Sequence, residues 1–350
     1  MRPYCGDLFG DADLPDNAVG QVARSFPRDL LRIARQAPTG PWLYTGGLEN
    51  YAGIVARVSS QHELLGTPPG VLRRVRDPFQ LAMAFRRAGL LFPETLASTD
   101  GAPSSGDWLL KHCKSSGGLR VQLLNNNDCV AGRGWYFQRR VEGLSIGAVY
   151  VAAQGRASFL GASEQLLIAL GKRPFQYAGS IGPLRLSENE RQAVLDVGRF
   201  LAAEFDLRGL FGVDLVLTPD GVWTIEVNPR YTASVEVLER ALGFNAVGIQ
   251  IAACREQRLP VLEECNDRLV GKFVVYSEHP QQITTAMTQA LLDRNIGRPW
   301  PIVADVPRPA TYIDAGQPLL TVFAEAADVA SVRQKLSAEQ HSVSVALSAS

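Results

Sequence analysis

The chain has 350 residues, 46% of them hydrophobic, enough to bury substantial cores and to fill about two or three domains. Lys and Arg together number 35, and so do Asp and Glu, so no long-range positive field exists to hold a nucleic acid or an anionic membrane; a small, locally compensated ligand is expected. The five cysteines (Cys5, Cys113, Cys129, Cys254 and Cys265) form neither a metal-ligand pattern nor a disulfide framework, and no apolar leader or stretch of roughly 20 apolar residues is found, so the expectation is a cytoplasmic protein.

Residues 26–36 carry helical spacing, and a Pro-Thr-Gly-Pro break separates them from a short apolar strand, Trp42-Leu43-Tyr44. Gly46-Gly47 then turns the chain into Leu48-Glu49-Asn50-Tyr51. Strand, glycine turn and helix are the wiring of an open α/β layer, although such glycines serve tight geometry more often than phosphate binding. Asp77-Pro78 supplies a helix cap and a first-turn proline, and Phe79, Ala82, Met83 and Leu90 recur at helical spacing until Gly89 and Pro93 end the element. Residues 98–107 are rich in turn formers and read as an exposed linker. Trp108-Leu109-Leu110-Lys111 follows as a strand, residues 135–139 as another, and residues 145–152 with 156–160 as a hairpin across Gln154-Gly155. Ser187-Glu188-Asn189-Glu190 is a capping box, and Val194, Val197, Leu201 and Phe205 mark the buried stripe of a long helix behind it. A third region opens with a strand at 269–276 and closes in β-rich segments and a helix around 328–336.

The most informative segment is the hairpin formed by residues 210–217, the turn Thr218-Pro219-Asp220-Gly221, and residues 222–230. Proline first and glycine third suit a three-residue connection, which sets Thr218 opposite Val222 and therefore Asp214 opposite Glu226. Strand alternation adds Asn228 to the same face, where Gly212 leaves room. Two carboxylates at cross-strand distance repel unless a cation lies between them, and magnesium, which takes few protein oxygens beside phosphates and water, meets that need. The alternative is a solvated face carrying chance acids. Arg230, further along, can fork two N–H groups onto phosphate or carboxylate oxygens; its other role would be a surface ion pair.

Lys111 stands at a strand end before Ser115-Ser116-Gly117-Gly118, so backbone N–H groups and a point charge are placed together for phosphate oxygens. This is not a Walker A loop, because the lysine precedes the glycines. A glycine turn after an apolar strand is also common without any ligand. His112 and Cys113 have no second histidine nearby and read as structural.

Together these two segments resemble the ATP-grasp superfamily over about residues 77–260; Gly161-Ala162-Ser163-Glu164-Gln165 and Ala241-Leu242-Gly243-Phe244 resemble its carbamoyl phosphate synthetase and biotin carboxylase-like members, and residues 44–51 with the C-terminal tail resemble a group associated with methanofuran and tetrahydromethanopterin one-carbon cofactors. The resemblance implies α/β and α+β architecture: an ATP-grasp fold of two α+β lobes clasping ATP at 96–263, a truncated Rossmann-like pre-ATP-grasp domain at 1–95, and a small β-rich domain at 264–350. The first domain opens near what resembles its second strand, Arg2-Pro3-Tyr4-Cys5, so a shortened N-terminus is expected. By resemblance, ATP is held by Lys111, Ser115, Ser116, Gly117 and Gly118, with the hinge Gln138-Arg139-Arg140-Val141-Glu142-Gly143 presenting Gln138 and the backbone of Arg139 and Val141 to adenine. Asp214, Glu226 and Asn228 are implied as Mg2+ ligands, and Arg230 with Lys111 as catalytic groups. Pro78 stands where many members carry a second phosphate-binding lysine, with Arg76 close by as a substitute, and Ser145 stands where some ligases carry a ribose-binding glutamate.

The resemblance implies an ATP-dependent ligase that activates a small-molecule carboxylate as an acyl phosphate and passes it to an amine, with glutamate and a one-carbon cofactor precursor as the first substrate pair and a homodimer as the assembly. Two other readings stay open: a biotin-carboxylase-like enzyme that activates bicarbonate, and a non-catalytic ATP-binding regulatory module. The C-terminal tail lacks an Ala-Met-Lys-Met sequence, so it is not expected to carry biotin.

Overall fold

The computed structural model describes residues 3–15, 18–23, 25–97, 107–124, 133–261 and 268–348. Arg2, the linker over 98–106, Cys129 and Cys265 lie outside the described residues. The chain divides into two compact units, Met1–Gly40 with Asn266–Ser350, and Pro41–Cys265.

In the first unit, strand Tyr4–Asp7 pairs in parallel with Val19–Val22 and is followed by helix Asp29–Gln36. That helix starts later than residue 26 because Pro27 disfavours helical backbone at the residue before it. Strands Leu269–Tyr276 and Pro318–Ala326 pair antiparallel, with Val303–Ala304 on the other edge of the latter. The closing helix runs Val329–Ser348, well beyond Leu336, since Val332, Leu336, Val343 and Leu347 continue one buried stripe.

The second unit holds the segments that carry the chemistry. Strands Gly221–Asn228, Gly209–Thr218, Leu144–Ala153, Arg156–Leu170 and Arg173–Gly182 lie side by side in that order, each antiparallel to the next. Leu144–Ala153 is buried on both faces. Ile146, Ala148, Tyr150 and Ala152 pack toward helix Glu188–Phe205, while Val149, Val151 and Ala153 share a second core with Val235 and Leu238 of helix Ala233–Leu242. A smaller layer of four antiparallel strands follows the order Thr95–Ala97, Trp135–Arg139, Trp108–His112, Val121–Leu123. Thr95–Ala97, Val121–Leu123 and Arg173–Gly182 are not expected from the sequence; the other strands are, with Arg156–Leu170 running ten residues past the expected stop at Leu160. Gly161, at φ +147°, lets the strand pass under the Leu238 side chain, where a Cβ would sit only 3.0 Å from Cδ2.

Two local readings need correction. Trp42-Leu43-Tyr44 forms no strand: only Trp42 pairs, in a parallel bridge to Leu64. In helix Pro78–Ala88 the Asp77 cap is as expected, its side chain accepting from the Phe79 and Gln80 amides, and Gly89 ends the helix at φ +68°. The buried face, however, is Leu81, Ala84 and Phe85, while Phe79 and Met83 stand 41% and 58% exposed. Phe85 belongs to the large core beside the Glu188–Phe205 helix and stacks edge-on to Phe200, so packing chose this face over the alternative apolar stripe. Among the described residues no single helix is long and apolar enough to cross a membrane; one bent pair, Ala233–Leu242 with Ala246–Glu256, passes by length and composition only.

The capping box at Ser187 is complete, with the Ser187 hydroxyl accepting from the Glu190 amide and Glu190 reaching back to the Ser187 amide at 2.7 Å. Ser187→Ala is expected to lower stability by about 1 kcal/mol, read as a lower urea midpoint with an unchanged slope.

Candidate active site

Strands Gly209–Thr218 and Gly221–Asn228 place Asp214 directly opposite Glu226 and Gly212 opposite Asn228. The route to that register differs from the expected one. Pairing begins at Thr218 with Gly221, leaving Pro219-Asp220 as a two-residue loop, so Val222 faces Leu217 rather than Thr218. A bulge between Asp214 and Leu215, with Ile225 as the extra residue, then shifts the ladder by one and restores the acid pair. Gly212 leaves its room to the Thr232 side chain, which occupies the space a Cβ would take.

Charge sets the state of this pair. Burial and then the neighbouring Glu226 push the Asp214 carboxyl up to about 6, against hydrogen bonds from Gln165 Nε2 at 2.7 Å and Asn228 Nδ2 at 3.1 Å. Burial also acts to raise Glu226, but the charges of Arg76, Lys111 and Arg230 outweigh it and hold that carboxyl below its usual range. The nearest cation is Arg76. Its Nη1 bonds Glu226 Oε1 and the Val227 carbonyl, while Nε and Nη2 bond Asn50 Oδ1 at 3.2 and 2.9 Å and Nη2 reaches the Ser115 carbonyl at 3.2 Å.

Lys111, on strand Trp108–His112, is buried and donates to Gln138 Oε1 at 2.8 Å, with its ammonium 5.9 Å from the Tyr136 ring centre. Ser115 is buried, and its hydroxyl accepts from the Arg120 amide at 3.2 Å. Gly117 and Gly118 have φ of +59° and +79°; the Gly117 carbonyl accepts from Gln176 Nε2 and the Tyr177 amide, and a side chain at Gly118 would collide with the Phe175 carbonyl. The Ser115-Ser116-Gly117-Gly118 loop is therefore folded onto strand Arg173–Gly182. In the hinge, the Arg139 amide donates to the Glu94 carbonyl at 2.8 Å, so that N–H is used within the small layer. Val141 is half-buried.

Arg230 does not lie at the surface. Its guanidinium is 10% exposed and stands 2.9 Å from a wholly buried Glu49 carboxylate, without an aligned hydrogen bond between them. Its Nη2 approaches Asn228 Oδ1 at 3.5 Å. Glu49 went unread in the sequence; the only signal was an acid in an otherwise apolar turn. Arg76, Lys111, Ser115, Tyr136 and Glu226 line one small space of about 20 Å3, so the lysine loop and the carboxylate hairpin, 115 residues apart at Lys111 and Glu226, do meet.

The donor set fits a hard divalent cation. Among the described residues no three His, Cys, Asp or Glu side chains gather for a metal, so Asp214, Glu226 and the Asn228 amide form a lean oxygen set that needs ligand oxygens to complete its shell. The half-buried acid pair, one member of which is driven toward its protonated form, is a site that a further positive charge would relax.

Residues 75–234 match the family model of the ATP-grasp domain, so the chain carries an ATP-grasp domain. Among solved structures, the chain is similar to an L-amino acid ligase from Bacillus licheniformis, with TM-score 0.71 at 14% identity over 98% of this chain and 91% of that one. It is also similar to an ADP complex of N5-carboxyaminoimidazole ribonucleotide synthetase, with TM-score 0.69 at 16% identity over 99% of this chain and 91% of that one. A biotin carboxylase from Campylobacter jejuni gives TM-score 0.65 at 16% identity, over 91% and 79%. An uncharacterized protein of Methanocaldococcus jannaschii is 18% identical over 281 residues, covering 77% of this chain, which spans 66% of that relative's length. The mixed α/β ATP-grasp fold is thus established.

Asp214 allows a sign test. Its folded value near 6 lies above the usual 3.8, so the folded state holds this proton more tightly, and stability falls as pH rises from about 4 to about 6. Asp214→Asn is expected to raise the melting temperature of the nucleotide-free protein at pH 7.5, with the advantage vanishing by pH 4; an advantage that is the same at both pH values would contradict the assigned ionisation.

Proposed function

We propose that this protein is an ATP- and magnesium-dependent ligase that activates a carboxylate as an acyl phosphate and transfers the acyl group to an amine. The observation that carries this reading is that Glu226, which lies across from Asp214 on the hairpin, meets Lys111 and Arg76 around one small space. The solved relatives support it, being ligases and carboxylases by their names.

A magnesium ion held by Asp214, Glu226 and Asn228 would supply charge neutralisation between nucleotide phosphates. The chain's own groups do the rest. Lys111 and the Ser115-Ser116-Gly117-Gly118 loop hold phosphate oxygens, Gln138 and the backbone of Arg139 and Val141 hold adenine, and Arg76 leaves Glu226 to take up phosphate charge. Arg230, kept in place by Glu49, takes up charge on the transferred phosphoryl group as a substrate carboxylate oxygen attacks the γ-phosphorus and ADP departs. The amine then attacks the acyl carbon and phosphate leaves. No side-chain nucleophile is required. Folding of the glycine loop onto strand Arg173–Gly182 excludes the water that would hydrolyse the acyl phosphate. Amino acids such as glutamate, paired with amine precursors of one-carbon cofactors, are the first substrates to screen, and a homodimer is the assembly carried with this reading.

ADP release should require magnesium, a carboxylate and an amine together. Glu226→Gln is expected to reduce turnover by at least about 100-fold, in the range set by removing a group that holds transition-state charge, with the far-ultraviolet circular dichroism unchanged. Unaltered turnover in a folded variant would remove the metal assignment; ADP release stimulated by bicarbonate alone would favour the carboxylase-like alternative.

A further inference from the structure

Next to the small space around Lys111 and Glu226 lies a larger cavity of about 480 Å3, within the range of ligand pockets. The two share Arg76, Pro78, Cys113 and Tyr136, so the larger cavity opens directly from the place assigned above to phosphate and metal. The hinge residues assigned to adenine, Gln138, Arg139 and Val141, do not line it.

Its walls are of two kinds. One side is aromatic: Phe79 and Tyr136, their rings 6.2 Å apart in an edge-on arrangement. Phe79 is 41% exposed on a helix whose core face lies elsewhere, so this ring is displayed at the cavity while Phe85 is used for packing. The other side is cationic. Arg73 and Arg76, three residues apart around the end of helix Pro69–Val75, lie on one face, and Lys114 joins them.

The acids that also line this cavity are already committed. Asp77 caps its helix through the Phe79 and Gln80 amides, and Glu49 faces Arg230. Arg73 has no acceptor among the described residues, and the Lys114 ammonium has only the Tyr51 ring, 5.1 Å from its centre. An apolar aromatic wall facing uncompensated positive charge is complementary to a molecule with a flat ring and an anionic end.

We infer that this cavity binds the carboxylate substrate, and that the substrate is an aromatic acid whose ring lies against Phe79 and Tyr136 and whose carboxylate is drawn by Arg73, Lys114 and Arg76 toward the γ-phosphate. This rests on the ligase reading and names its acyl donor. In the reaction, a carboxylate oxygen bonds to the γ-phosphorus, the bond from that phosphorus to the β,γ-bridging oxygen breaks, and ADP leaves. An amine nitrogen then bonds to the acyl carbon as inorganic phosphate and a proton are released.

The test uses the full chain with Mg-ATP and hydroxylamine as the trapping amine. Phenylacetate and 4-hydroxybenzoate are the aromatic probes, acetate and succinate the aliphatic ones, and both ADP and acyl hydroxamate are measured. The aromatic acids should show a KM at least about tenfold below the aliphatic ones, the scale of one desolvated aromatic contact. Arg73→Ala and Lys114→Ala should each raise the KM for the aromatic acid about tenfold while leaving the KM for ATP unchanged, as expected for one lost charge-assisted contact. Phe79→Ala should narrow the gap between aromatic and aliphatic acids.

Equal KM values for the two acid classes would overturn the inference and leave the ligase reading standing. A matching rise in the KM for ATP in the Arg73 and Lys114 variants would assign the cavity to the nucleotide and overturn it as well. Should no acid yield ADP, calorimetry decides: phenylacetate binding that is lost in Arg73→Ala supports the cavity assignment while the ligase reading fails, and absence of phenylacetate binding sinks both.

Discussion

The second unit is organised around an electrostatic debt at one point: two half-buried carboxylates, Asp214 and Glu226, are held face to face by the ladder of their own hairpin. Backbone pairing fixes their separation, so they cannot relieve repulsion by moving apart. The protein answers with cations from three distant parts of the chain. Arg76 comes from the end of a helix, Lys111 from the small strand layer and Arg230 from the loop after the hairpin. The division of labour is unequal. Glu226 receives the guanidinium of Arg76 and stays ionised, whereas Asp214 is left with two amide donors and a raised affinity for its proton. That imbalance sets the pair apart from a finished ion-pair network.

The same arrangement explains why Arg76 matters more than its place in the sequence suggested. The absence of a lysine at the head of helix Pro78–Ala88 looked like a loss of phosphate-binding capacity, because Pro78 takes that place. Arg76, two residues earlier, enters the same space from the preceding helix end. Its present bonds to Glu226, Asn50 and the Ser115 carbonyl connect the hairpin, the turn after Gly46-Gly47 and the glycine loop through a single side chain.

Much of this was legible in the residues. The Asp77 cap and the Ser187 capping box depend only on local hydrogen bonding, and both stand as read. The pairing of Asp214 with Glu226 was also readable, since strand alternation has a fixed period, although the turn and a bulge exchanged one residue and arrived at the same register by another path. What could not be read was the choice among equivalent faces. Phe79 with Met83 and Leu81 with Phe85 are both plausible apolar pairs on one helix, and only contact with the Glu188–Phe205 helix decides between them. Glu49 was invisible for a related reason: its partner Arg230 lies 181 positions away, and nothing local marks an acid as buried.

The short turn Leu48–Asn50 has a wider implication. Consecutive residues on it grip two different guanidinium groups, Glu49 that of Arg230 and Asn50 that of Arg76, and those two arginines act on opposite members of the hairpin's polar row, Asn228 and Glu226. Both arginines thus have a partner on the same short stretch of backbone. The turn hangs from Gly47, whose φ of +88° is open to few other residues, so a rotation there would swing both cations at once, like two oars fixed to one crossbar.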